Sequence, residues 1–453
     1  MNSAGPATHV ETEFKFRVPM DFEFPSLPQS LGDWTTNSIR NMDATYWDTT
    51  DATLLRWGIT MRIRTGGEDD GWHLKIPSLP ALMEGAADGA SVRTELHLDA
   101  GSVSPPVEFL ELLSAILQGS EVVPIARVQT QRKPQTLVDS RGDAIELVDD
   151  LVTLHRGGRV IDEFREIEIE LINDSALPVA MVIGEILINV GAQTSSVSKA
   201  ASAFGPAAKK QPDIPQLPTP TKDDLPCDLI RWALSAQVRA IFYAELTSRV
   251  TNETITLTAE LVNLLDLLNA LHQWLNAEEQ EFLREDLDWL IRELSIDADL
   301  IQQKQRAMTL VDSLSNPLDR HEAATAIDRY FAGKSIAARS SLQAARRSDR
   351  YLFLFSDLVN LARVPAVTSQ AYEPNSIWDK ISPDPCQQLT IARHFKAIFK
   401  KKSKNIQKNL ECAKTQSPKI HLDELIREIA LSGKSDPAAI FALGLAIHGT
   451  HKA

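Results

Sequence analysis

Residues 8–18 read THVETEFKFRV, and the phase of this stretch decides the fold. Side chains along a strand alternate faces, so Glu11, Glu13, Lys15 and Arg17 share one surface while Val10, Thr12, Phe14 and Phe16 share the other. An ordinary half-buried strand turns its apolar face inward and its charges to water. Seven further stretches of period-2 sequence follow: ATYWDT (44–49), GITMRIRT (58–65), GWHLKIP (71–77), SVRTELHLD (91–99), ARVQTQRKPQTLV (126–138), AIELVD (144–149) and EFREIEIELI (163–172). Charge recurs at every second position in several of them: Arg62 and Arg64, His73 and Lys75, Arg93, Glu95 and His97, and Glu166, Glu168 and Glu170. One such strand is unremarkable. Five together favour a sheet closed into a barrel with its charged side inside, where acids of the first and last strands meet cations of the middle ones.

The chain of 453 residues, 43% apolar and 24% charged, is long enough for two cored domains. A boundary falls at residues 206–226, where six prolines remove backbone donors and predict an extended, semi-rigid linker. Beyond it the periodicity changes to 3.6. In LVNLLDLLNALHQWL (261–275), Leu261, Leu264, Leu265, Leu268, Leu271 and Leu275 form one helical face. The formal net charge of −14 is uneven: residues 1–224 hold 19 Lys and Arg against 33 Asp and Glu, and the remainder is balanced. An acidic domain repels polyanions at long range, which argues against specific nucleic-acid binding and requires a locally basic site or a bridging metal for any phosphate ligand. The amino-terminal MNSAGPATH has no leader-like pattern and no apolar run is long enough to span a membrane, so the expected location is cytoplasmic. Three scattered cysteines offer neither a disulfide framework nor a zinc site, and P-loop, dinucleotide-binding and hydrolase-elbow motifs are missing.

Glu11-x-Glu13-x-Lys15, Tyr46-Trp47-Asp48-Thr49, LLRWGITMRIR (54–64), Trp72 to Lys75, Arg93-x-Glu95, Arg132, Asp149, Glu166-x-Glu168-x-Glu170 and the late Ser198-Lys199 occur in an order that resembles the CYTH domain, or triphosphate tunnel metalloenzymes. The resemblance covers about residues 8–205. It implies an eight-stranded antiparallel β-tunnel; with the helical inserts read near VEFLELLSAIL (107–117) and VAMVIGEILINV (179–190) and the helical periodicity beyond the linker, the expectation is an α+β protein whose tunnel is followed by an all-α helical bundle at 227–451. It also implies hydrolysis of a triphosphate with Mg²⁺ or Mn²⁺. The second half is similar, more distantly, to the CHAD helical domain, through LHQWLNAEEQEFLREDLDWLIRELSIDADL (271–300) and RYLFLFSDLVNLA (350–362). It departs from that domain in lacking the basic and histidine cluster expected before the first of these helices.

Tripolyphosphate needs a cation at each phosphoryl group, with Arg forks binding bidentately and Lys acting as a point charge. Lys15, Arg62, Arg64, Lys75, Arg93 and Arg132 are the expected cradle, with Lys199 a further contact. Metal ligands are expected among Glu11, Glu13, Asp149, Glu166, Glu168 and Glu170, because Mg²⁺ takes only one or two carboxylates per ion. Glu11, Glu13, Lys15 and Glu168 form the expected catalytic set, and Glu95 is either an orienting residue or the partner of an arginine. In the helical half, Arg393, Lys396, Lys400, Lys404 and Lys408 are spaced to make one basic face of a helix, a surface for polyphosphate. The leading expectation is an inorganic triphosphatase cleaving tripolyphosphate to pyrophosphate and phosphate. Alternatives are adenylate cyclase or thiamine triphosphatase chemistry on the same fold, or a non-catalytic polyphosphate-binding module.

Overall fold

The computed structural model describes residues 6–77, 90–205, 210, 212–312, 317–373, 384–400 and 403–404. It divides into two compact units, Met1–Pro212 and Asp213–Ala453.

The first unit is a closed antiparallel barrel of eight strands. These are β1 (Ala7–Val18), β3 (Arg40–Asp48), β4 (Thr60–Thr65), β5 (Gly71–Pro77), β6 (Ala90–Asp99), β7 (Val123–Val138), β8 (Ala144–Arg156) and β9 (Arg159–Leu171). Their order is β1-β6-β5-β4-β3-β7-β8-β9, and pairing of β1 with β9 closes the ring. Short β2 (Asp33–Thr36) and β10 (Gln193–Thr194) pair with β7 and β1. Antiparallel neighbours directly opposite one another share a face. The register therefore carries the inward face around the ring, through Lys15↔Glu168, Glu146↔Glu170, Arg132↔Asp150, Arg40↔Arg132, Tyr46↔Arg62, Lys75↔Glu95 and Glu11↔Arg93.

With charge inside, the apolar core lies outside. Helix α4 (Leu177–Asn189) lays Ala180, Ile183 and Leu187 over Phe14, Phe16 and Val18 of β1, Ile145 and Leu147 of β8, and Ile167 and Ile169 of β9. This is why β1 is buried on both faces: its charges in the barrel, its phenylalanines beneath the helix. Gly184 lets the helix come close, since a Cβ there would stand 3.1 Å from the Phe16 ring. Three shorter helices, α1 (Thr53–Arg56), α2 (Val107–Leu112) and α3 (Ser114–Leu117), complete the connections before α4. Asp48 ties down α1 by accepting from the backbone N–H groups of Thr49, Leu54 and Leu55. Helix α5 (Lys199–Phe204) packs Ala200 and Ala203 against inward-facing Tyr46, Val128, Val152, Leu154 and Phe164, stopping the barrel at that end. Ser198 caps its first turn by accepting from Ala201 N.

The second unit has six α-helices among the described residues: α6 (Pro226–Thr251), α7 (Ile255–Ala270), α8 (Ala277–Asp312), α9 (Pro317–Arg346), α10 (Asp349–Arg363) and α11 (Pro385–His394). Leu261, Leu264, Leu268, Leu271 and Leu275 are buried as their spacing predicts, and Leu267 is buried where Leu265 is only partly so. The proline stretch does not run free to residue 226. Ile214 is buried, and its carbonyl and that of Pro215 accept from Arg239 and Ser235 of α6. Within this bundle Glu245 is held by Arg249 at 2.5 Å, Arg346 at 2.9 Å and the Tyr351 hydroxyl at 2.5 Å. No described helix is long and apolar enough to cross a membrane.

If the outer core holds the barrel closed, Phe16→Ala should cost about 3–5 kcal/mol, because it leaves a cavity beneath α4. Urea denaturation of the full chain, followed by tryptophan fluorescence, measures it.

Candidate active site in the barrel

The barrel encloses a cavity of about 390 Å³ into which every wall strand sends charge. Lys15, Arg62, Arg64, Lys75, Arg93, Arg132 and Lys199 all line it, together with Glu11, Glu13, Glu168 and Glu170. All seven expected phosphate-binding cations and four of the six expected metal ligands thus meet in one chamber. Glu166 is buried just behind it.

Asp149 is the exception. It lies on the outer face of β8, where Arg165 clasps it at 2.7 Å and 2.8 Å. Its neighbour Asp150 is the inward acid, fully buried and bound to Arg132. Counting by twos from Glu146 gives Asp150 directly, but β8 is buried on both faces, so apolar alternation could not fix its phase. Four more charged lining residues lie outside the sequence expectation: Arg40, which starts β3 ahead of ATYWDT, Glu146, on the strand whose phase was open, and Glu68 and Asp69, in the turn after β4. The helical stripe also needs correcting. Helix α11 ends at His394, so Arg393, Lys396, Lys400 and Lys404 do not extend along one helix, although they line a common cavity. Lys408 lies outside the described residues.

Charge is distributed unevenly inside the barrel. Toward α5 it is balanced: Lys199 Nζ stands 2.5 Å from Glu166, 2.9 Å from Glu168 and 3.0 Å from Asp150. Lys15 joins Glu13 at 3.2 Å and Glu168 at 2.9 Å, while Arg132 joins Asp150 and Glu168, both at 2.7 Å. Burial disfavours each charged form; these pairs outweigh it for Asp150, Glu168, Lys15 and Lys199, whereas at Glu166 burial prevails and its carboxyl is raised. The pairs hold Glu168 well below the usual carboxylate range and keep Lys15 and Lys199 firmly protonated. Asp150, Glu166 and Glu168 bring ligand oxygens within 4.8 Å of one another, a spacing that could hold a metal, yet the Lys199 ammonium already sits among them.

The opposite imbalance appears around Glu170. Among the described residues it has no ion pair, and burial together with Glu11 and Glu13 pushes its carboxyl up to about 8. Glu11 itself is paired with Lys75, and Lys75 also reaches Glu95 at 3.3 Å. Despite burial, Lys75, His73 and Arg62 keep Glu95 ionised well below its ordinary range, with His73 Nδ1 at 2.8 Å. Glu95 thus orients a lysine and a histidine. Across the cavity, cations are in excess: the Nε atoms of Arg62 and Arg64 are buried and have no hydrogen-bond partner among the described residues. Arg62 is fixed by the Tyr46 hydroxyl at 3.1 Å, and Arg93 donates to the Gly58 carbonyl at 3.0 Å.

Two outcomes follow from this charge map. Lys199→Met should destabilise the fold by about 3–5 kcal/mol, because it leaves buried Glu166 without its ammonium partner and takes one partner from Asp150 and one from Glu168; thermal melting with chelator present tests this. Glu170 binds its proton more tightly folded than unfolded, so between pH 4.5 and about 8 the native state carries the extra proton and stability falls as pH rises. Glu170→Gln should flatten that loss in metal-free protein, as read from melting temperatures between pH 5 and 8.

The CYTH domain model matches residues 9–203. The chain is also similar to the uncharacterized protein Rv2226 of Mycobacterium tuberculosis H37Rv, 29% identical over 344 residues covering 69% of this chain and 61% of that protein. MT2285 of strain CDC 1551 matches over the same extent at 28% identity. The chain therefore spans about three-fifths of the length of the curated relatives it matches. Similar solved structures include PptA from Streptomyces chartreusis, 15% identical with a TM-score of 0.35, over 49% of this chain and 93% of that one. Another is HpAC1 from Hippeastrum, a candidate adenylyl cyclase described as having a dominant triphosphatase activity, 17% identical with a TM-score of 0.25, over 43% and 94%. The charged, closed barrel and the family match agree in extent: residues 9–203 of this chain match the CYTH domain model.

Proposed function

We propose that the barrel is a metal-dependent inorganic triphosphatase that hydrolyses tripolyphosphate to pyrophosphate and phosphate. The observation that carries this reading is the division of one enclosed cavity into a cation-rich wall, Arg40, Arg62, Arg64, Lys75 and Arg132, and an acid-rich wall, Glu11, Glu13 and Glu170. A multiply charged anion answers the first wall. The second would suit a divalent cation: Glu170 has no ion pair among the described residues, and burial together with Glu11 and Glu13 raises its carboxyl.

Mg²⁺ or Mn²⁺ would be held by Glu11, Glu13 and Glu170, with Glu168 at their border; bound there, it would neutralise phosphoryl charge and acidify a water. Arg62 and Arg64, which line the cavity, would offer guanidinium N–H groups to phosphoryl oxygens, bidentately where the fork allows. Lys15 stays an ammonium between Glu13 and Glu168, so it donates to substrate and does not act as a base. Glu95 keeps Lys75 aimed inward. Helix α5 excludes water from the closed end, strengthening each of these contacts.

An inorganic substrate is favoured over ATP or thiamine triphosphate by the lining itself. Among the described residues Tyr46 is its one phenyl-type ring, and the hydroxyl of that ring is committed to Arg62, leaving little on which to stack a base. For the helical unit we keep the CHAD-like, polyphosphate-docking reading, supported by the shared cavity of Arg393, Lys396, Lys400 and Lys404.

Phosphate release should be fastest from tripolyphosphate, slower from ATP and thiamine triphosphate, and abolished by chelator. Glu168→Gln or Glu11→Gln should lower kcat by at least about 100-fold with circular dichroism unchanged. Full activity in both variants would sink the hydrolase reading, and no release from any substrate would leave an anion-binding module. Lys396→Glu/Lys400→Glu is expected to weaken long-chain polyphosphate binding several-fold in a gel-shift assay without altering release.

A further inference from the structure

The turn between β4 and β5 reads Gly66-Gly67-Glu68-Asp69-Asp70, and it puts two carboxylates on the arginines of the cavity mouth. Glu68 Oε1 accepts from Arg40 Nη2 at 2.7 Å, and Asp69 Oδ1 accepts from Arg64 Nη2. Hosts and guests differ sharply in exposure. The Arg64 and Arg40 side chains are 11% and 19% exposed, whereas Asp69 and Glu68 are 54% and 78% exposed. The guanidinium groups belong to the wall, and the carboxylates reach them from solvent.

The turn itself is built firmly. Gly66 has φ +83°, and a Cβ there would collide with the Asn41 carbonyl. Gly67 N–H donates to Asp70 Oδ1 at 2.8 Å. His73 Nε2 lies 2.9 Å from the Asp69 carbonyl, and His97 Nε2 lies 3.3 Å from that of Asp70. His73 also reaches Glu95 with its other nitrogen, so the turn is anchored to the cavity floor. Arg64 nonetheless keeps Nε buried and unpartnered among the described residues, so Asp69 satisfies only part of the fork.

We infer that Glu68 and Asp69 form an internal competitor: two carboxylates that occupy Arg40 and Arg64 until the terminal phosphoryl group of a linear polyphosphate displaces them. This rests on the phosphate-binding reading above and adds a determinant of affinity to it. A phosphoryl group presents more charge and more acceptors to a guanidinium fork than a carboxylate does. It therefore wins when the rest of the anion is gripped deeper in, by Arg62, Lys75 and Arg132. The exposed acids can then swing into water at little cost, because exposed ion pairs are weak. Anions too short to reach both regions must fight the competitor without that anchorage.

Isothermal titration of tripolyphosphate into the full chain in EDTA tests this free of metal and turnover. Removing two weak exposed pairs in Glu68→Gln/Asp69→Asn should tighten binding about 3-fold to 10-fold. Two controls fix the interpretation. Asp162→Asn/Glu163→Gln removes equal charge from β9 without touching Arg40 or Arg64 and should tighten binding less than 2-fold. Arg64→Met should weaken it. Unchanged or weaker binding by Glu68→Gln/Asp69→Asn, with Arg64→Met still weakening it, overturns the competitor and leaves the phosphate site standing. Equal tightening in the β9 control reduces the effect to bulk charge and also overturns it. Wild-type protein that binds no tripolyphosphate, indifferent to Arg64→Met, overturns both.

Discussion

The governing constraint is that a closed barrel with charge inside must pair those charges with one another. Taking an ion out of water costs several kcal/mol, and a partner offsets that only with good geometry. The interior therefore holds two sets of contacts: Lys75 with Glu11 and Glu95, and a larger set in which Lys15 joins Glu13 and Glu168, Arg132 joins Asp150 and Glu168, and Lys199 joins Asp150, Glu166 and Glu168. Such a network specifies geometry and contributes little net stability. Apolar burial has to be found elsewhere, which explains a core on the outside of β1, β8 and β9 beneath α4, and an alanine-faced plug in α5.

Pairing is complete at the plugged end and incomplete further along. Among the described residues Glu170 has no ion pair, with Glu11 and Glu13 near it, while Arg62 and Arg64 each keep a buried Nε without a hydrogen-bond partner. Both faults are expensive in an empty cavity and are relieved by ligands of opposite sign. A cavity that holds unmet acid and unmet base on its lining is preorganised for an anion bound together with a cation. The acidic first half of the chain then stops being paradoxical, because the negative charge belongs to ligand-binding walls as much as to the surface.

Much of this was legible in residues 8–18 and 163–172. Phe14 and Phe16 alternating with Glu13 and Lys15, and Ile167 and Ile169 with Glu166, Glu168 and Glu170, announce strands that are buried on both faces. What failed was phase, where both faces look alike. In AIELVDD the acids at 149 and 150 are adjacent, and only pairing of Asp150 with Glu166 and Arg132 across the sheet decides which one turns inward. Arg40 escaped because a lone charge at the start of a strand carries no periodicity, and Glu146 because its partner in phase, Asp150, stands beside an equally acidic Asp149. The helix expected to carry Arg393 through Lys408 ends at His394 among the described residues.

The sequence by itself determined the strand set, the inward chemistry and the division into a β unit and a helical unit, because these depend on periodicity, which is local. Only the tertiary structure decided which carboxylate meets which cation. It showed Lys199 inside an acid trio that resembles a metal site, Glu170 left unpaired, and Glu68 and Asp69 folded back onto Arg40 and Arg64. Those outcomes depend on ring closure, stagger and the reach of a turn, which bring together residues as far apart in the chain as Lys15 and Glu168. Coulomb energy acts across space, and no local pattern in a chain records that distance.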